Sequence, residues 1–187
     1  MTTRSEHDVI LDHAVRDDEN LRIALKIGQA YPDLCGRIIL GFLEAVEKEL
    51  TPRLGSAWKV AIFDSAQLEG SEHCLEAHLL SYLGEFCVVL GAEGYCYPKK
   101  IYFGVRSDSP SHSELVEHVR DTLNAQYLKG YRGAWSFWYK YVDKAYSSWG
   151  SEDVTLLLYR KGAVVEYFVD HLEKLARAVE RALIPSQ

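Results

Sequence analysis

The chain has 187 residues, 48% of them hydrophobic and 26% charged, with a net charge of −6 and a pI near 5.6. That length and balance suit one soluble domain, with residues 1–30 as a candidate helical arm, able to bury a core without disulfides or metal. The acidic total argues against a protein held to nucleic acid by overall charge, and no run approaches the ~20 apolar residues of a membrane span.

The opening segment MTTRSEHDVILDHAV is charged throughout and lacks the apolar stretch of a signal peptide. A cytoplasmic protein is expected. The cysteines, Cys35, Cys74, Cys87 and Cys96, show no C-x-x-C spacing. Cys87 and Cys96 could face each other across a hairpin, but free buried thiols are the expectation.

Residues 5–30 read as two helical pieces. Val9, Ile10, Ala14 and Val15 share a face, and the run Arg16 to Asn20 interrupts it. Asp18 is the expected N-cap of a second piece carrying Leu21, Ala24, Leu25 and Ile27. Pro32 suits the first turn of a further helix, where its missing N–H costs nothing. Leu34, Ile38, Phe42, Val46 and Leu50 then give a wide apolar stripe, ended by Thr51, Pro52 and Gly55.

Trp58 to Asp64 reads as a strand with Trp58, Val60 and Ile62 on one side. Residues 72–83 fit a helix through Leu75, Leu79 and Leu83, and a strand through Leu75, Ala77 and Leu79; the strand is preferred. Phe86 to Leu90 and Ile101 to Arg106 are predicted strands of an antiparallel hairpin with a long loop. Ser111 and Glu114 form a capping-box pattern before a helix through Leu115, Val119, Leu123 and Tyr127. Gly130 and Gly133 stop it. Ser151, Glu152 and Asp153 open a helix that Gly162 breaks, and Val164, Phe168, Leu172, Leu175, Val179 and Leu183 mark the face of a final one. The fold class is therefore α+β, a small, mostly antiparallel sheet flanked by N-terminal and C-terminal helices.

Catalytic patterns are sparse. Cys74, Glu76 and His78 alternate, so on a strand they would face one side with zinc-type ligands; no second cluster completes the set, and no metal or cofactor is expected. His112 and His118 do not share a helix face, and His171 reads as a histidine at the core boundary. No phosphate-loop, dinucleotide or nucleophile-elbow motif occurs. A dispersed catalytic site using Asp64, Glu76 and His78 remains one alternative.

The stretch Tyr131 to Trp149 holds three of the four tryptophans. Cations are interleaved there and in a second aromatic stretch, Tyr95 to Arg106, so the candidate contact residues are Trp135, Trp138, Tyr139, Tyr141, Trp149, Arg132 and Lys140 with Lys99 and Lys100. Such a pattern fits a core with a solvated rim, a protein interface, or a surface that stacks single-stranded nucleic acid.

Trp135 to Tyr141, then Trp149, an acidic helix start and a long closing helix resemble the C-terminal region of a group of bacterial and phage PD-(D/E)XK-family nucleases. The strand Ile101 to Val105 adds to the likeness, which covers roughly residues 85–184. The catalytic E-x-K of that family is absent here; Glu47-Lys48 and Glu173-Lys174 are adjacent pairs. The resemblance thus implies a nuclease-related scaffold used for binding. The expected function is a non-catalytic protein that occludes or regulates a protein partner, of inhibitor or immunity type in bacterial or phage conflict. The alternative is a nucleic-acid-binding accessory module.

Overall fold

The computed structural model describes residues 5–62, 73–82, 85–93, 99–108, 113–127, 129–133 and 136–183. Its contacts divide the chain into two compact units, Met1–Arg37 and Ile38–Gln187. The capping pattern at Ser111 and residues Asp64, Cys96, His112 and Trp135 lie outside the described residues.

The first unit is helical. Helix α1 spans Glu6–Ala14 and starts on a reciprocal cap. The Ser5 hydroxyl accepts from the Asp8 N–H at 3.2 Å, and the Asp8 carboxylate accepts from the Ser5 N–H at 3.3 Å. The Ser5 hydroxyl, donating to the Asp8 carboxylate at 2.7 Å, and then the Ser5 N–H hold that carboxyl below its ordinary range.

Helix α2 spans Asp18–Leu54 without interruption, which corrects the expected break at Pro32. Pro32 does remove the N–H that the Gly28 carbonyl would accept, a cost of about 3 kcal/mol in a helix interior. Strong helix formers on both sides, Leu25, Lys26, Gln29, Ala30 and Leu34, carry the helix through. The cap also moves by one residue: the Asp17 carboxylate, not Asp18, accepts from the Asn20 N–H at 2.8 Å.

The second unit begins within α2, where Phe42, Leu43, Val46 and Leu50 are fully buried. The end of α2 is pinned to the last helix, α5 (Ala163–Leu183). The Arg177 guanidinium donates to the Arg53 carbonyl at 2.5 Å, and the Arg53 guanidinium donates to Asp170 at 2.7 Å. Gly55 follows with φ +71°, a left-handed turn that favours glycine.

An antiparallel sheet comes next, in order β1-β2-β3-β4-β5. Its strands are β1 (Trp58–Ile62), β2 (His73–Leu79), β3 (Phe86–Glu93), β4 (Lys99–Ser107) and β5 (Trp138–Tyr141). Helix α3 (Ser113–Tyr127) connects β4 to β5, and α4 (Glu152–Arg160) precedes α5. The α+β class is as expected, and so is the β3–β4 hairpin.

One face of the sheet carries the apolar rows that bury against helices. Val60, Ala77, Val88, Val105 and Trp138 form one cross-strand row, and Ile62, Leu75, Leu90 and Phe103 another. Phe42, Trp149 and Phe168 meet edge to face with centroids 5.2–6.0 Å apart, fixing α2, the segment before α4, and α5. His171 is the boundary histidine expected: its Nδ1 lies 2.8 Å from the Tyr167 carbonyl and its ring stacks on Phe103.

Candidate functional site

The opposite face of the sheet is polar and aromatic. Register places Lys59, His78, Cys87 and Arg106 in one cross-strand row, and Glu76, Val89, Gly104 and Tyr139 in the next. Tyr102 and Tyr141 form a third. Side chains alternate along strands, so everything here is excluded from the helix-packed core.

Glu76 is only 1% exposed, which demands charge pairing. Arg106 supplies it across β3 with a two-pronged bridge, Nη1 to Oε1 at 2.7 Å and Nη2 to Oε2 at 3.2 Å. The His78 Nε2 lies 2.9 Å from Oε2 of the same carboxylate. The Arg106 Nη2 also donates to Asp108 Oδ2 at 3.3 Å. The Cys87 thiol is pushed up to about 12 by burial, with the Arg106 charge pulling back only part of that rise.

The predicted ligand trio changes membership. Register slips between His73 and Leu75, and Cys74 joins the helix-side core instead of facing Glu76 and His78. Cys87, cross-strand from His78, takes its place, and the donor atoms of Glu76, His78 and Cys87 lie within 4.8 Å of one another. Their chemistry does not fit a metal well. Both carboxylate oxygens already bond to a guanidinium, and a metal ligand needs the thiolate that burial opposes. The cluster is an ion-paired strut tying β2 to β4.

The aromatic part of this face is built by β5. Its four residues, Trp138, Tyr139, Lys140 and Tyr141, alternate sides. Tyr139 and Tyr141 point to the polar face, with centroids 5.6 Å apart. Tyr102 packs on Tyr139 at 5.4 Å. Tyr131 bridges the outer edge of β5: its N–H donates to the Tyr139 carbonyl at 2.8 Å, and the Tyr139 N–H returns the bond at 3.0 Å. That puts the Tyr131 ring 5.5 Å from Tyr139 and 5.9 Å from Tyr141 while it stays 57% exposed. Arg132 follows on the surface and pairs with Glu117 at 3.1 Å.

The other half of β5 turns inward, which corrects several expected contacts. Trp138 is buried, its Nε1 donating to Asn124 at 3.2 Å. The same amide oxygen accepts from the Gly130 N–H at 3.0 Å, and a Cβ on Gly130 would lie inside the indole. Trp149 is fully buried. Both tryptophans therefore pack the core and present no contact surface. The Lys140 ammonium donates to the Tyr127 carbonyl at 3.2 Å, closing the C-terminal end of α3 instead of standing free. Lys100 is exposed at φ 53°, and the Lys99 side chain lies outside the described residues.

Of the expected contact residues, the structure thus groups Tyr139 and Tyr141 on one surface, while Arg132 turns to Glu117 of α3. Sequence reasoning gave the tryptophans too much weight and left out Tyr131, whose neighbour Tyr102 lies buried beneath the cluster. The signal was present in the period-two alternation of the W-Y-K-Y run, hidden because every member is large. Among the described residues, no helix is long and apolar enough to cross a membrane. Comparison with protein-family models, curated proteins and solved structures finds no match for this chain.

Proposed function

We propose that the protein works by binding a protein partner through the tyrosine face of β4 and β5, occluding or regulating that partner. The observation that carries this reading is the cluster of Tyr131, Tyr139 and Tyr141, backed by the buried Tyr102 and braced by backbone pairing. Tyrosines give interfaces large contact area and polar tips at low entropic cost. The rings are already held by one another, so a partner need not order them. An inhibitor or immunity role in bacterial or phage conflict is the concrete form of this function. Its nuclease-like scaffold would then serve as a mount.

Tagged protein, mixed with nuclease-treated lysate of its native host, tests the reading. The expected result is one protein recovered in stoichiometric amount, with at least tenfold less recovered by Tyr131→Ala combined with Tyr141→Ala. Undiminished recovery by that folded variant would overturn the assignment of the surface. Recovery of nucleic acid alone, when nuclease is omitted and salt is low, would favour the accessory-module function instead.

A further inference from the structure

The first unit carries a different surface. Val9, Ile10, Leu11, Val15, Leu21, Ile23, Leu25, Ile27, Tyr31 and Leu34 are each 38–66% exposed. In α2, Ile23, Ile27 and Leu34 follow at steps that share one helix face, whereas Leu21 and Leu25 lie on the opposite one. A helix apolar on two sides is one that is normally covered. No buried residue occurs in α1.

We infer that this helical arm, residues 6–37, pairs antiparallel with the arm of a second copy of the chain. Two observations select this occupant. The first is area. These ten residues leave on the order of 1,000 Å² exposed per chain, so covering most of it in a pair reaches the roughly 1,200–2,000 Å² of a specific interface. Two copies bring α1 and the first half of α2 twice, enough helices to cover both faces as in a four-helix bundle.

The second is charge. Residues 6–19 hold six acids, Glu6, Asp8, Asp12, Asp17, Asp18 and Glu19, against Arg16. Residues 20–37 hold Arg22, Lys26 and Arg37 against Asp33. A parallel pair would set acid on acid. An antiparallel pair sets the acidic end of each arm on the basic stretch of the other, which fixes direction and register. The arm as a whole is acidic, which disfavours an anionic membrane surface as the occupant.

The test is the mass of the full chain by light scattering after size exclusion. At roughly 100 µM, well above a micromolar dissociation constant, the expected mass is about 43 kDa, twice 21.3 kDa. Ile23→Asp with Ile27→Asp should give the monomer mass. Lys26→Glu, an exposed and helix-compatible change, should weaken the dimer at least tenfold at low salt and less at high salt. A monomer at every concentration in the unaltered chain would overturn the inference without reference to any variant. So would a dimer that survives the double aspartate variant with its helix content intact.

Discussion

Glu76 shows how one residue sets the character of a sheet face. A buried carboxylate in the middle of a strand is tolerated only because Arg106, two strands away, brings a matching fork, and His78 a further nitrogen. Removing Glu76 takes away the carboxylate that holds both prongs of the largely buried Arg106 fork, so Glu76→Ala should cost about 3–5 kcal/mol in urea unfolding. A loss under about 1 kcal/mol would mean that Arg106 draws its pairing from Asp108 instead. Two buried thiols, Cys87 beside this cluster and Cys74 on the helix side of the sheet, supply a pH signature. Cys74 and Cys87 ionise near 12 when folded, against the ordinary 9.0 of a thiol. Burial favours the neutral form, so this stability is whole below about pH 9 and drains away as pH climbs towards 12, at roughly 1.4 kcal/mol per unit and thiol. Peptide mapping after alkylation at pH 8 should find both unlabelled until the protein is unfolded.

At the scale of elements, β5 is the informative one. Its pleat sends Trp138 and Lys140 to the helices and Tyr139 and Tyr141 to the outer face. Stability and binding should therefore separate along four residues. Trp138→Ala removes a buried indole and should cost about 3–5 kcal/mol, whereas Tyr141→Ala should cost less than half of that and weaken the complex. Gly130→Ala should act like a core change, costing about 1–3 kcal/mol, because its methyl displaces the Trp138 ring. Red-shifted tryptophan emission would report that displacement. The cap of α1 gives a milder case. Ser5→Ala should lower helix stability by about 1 kcal/mol. The depressed Asp8 carboxyl makes the same cap present above its ordinary 3.8 and lost as pH falls below it.

The strands β1, β3 and β4 and helices α3 to α5 were legible in the sequence because their apolar periods are unbroken, whereas β2 fitted a helix as well through Leu75, Leu79 and Leu83. Trp58, Val60 and Ile62 mark one face of β1, and Val164 to Leu183 one face of α5. Four features were not legible. β5 hides its period, since W-Y-K-Y is bulky at each position. Pro32 reads as a helix start, yet its neighbours' propensity outweighs one missing hydrogen bond. Cys74 shares the parity of Glu76 until a register slip moves it to the core. Arg106 and Glu76 lie 30 residues apart, and pairing over that distance is set by sheet order. A charged residue of each sign, set within strands that are otherwise apolar, was the available clue.

Taken as a whole molecule, the protein has one sheet face committed to its core and one carrying an ion-paired strut beside a tyrosine cluster. The central claim is that this second face is where a partner sits. Hydroxyl-radical footprinting of the free chain and of its captured complex tests that claim most directly, because it reads tyrosine side chains one by one. Tyr159 on α4, 68% exposed, serves as the internal control. The account predicts that oxidation of Tyr131 and Tyr141 falls several-fold in the complex while Tyr159 is unchanged. Equal oxidation of Tyr131 and Tyr141 in both states, or protection of Tyr159 in their place, would contradict it.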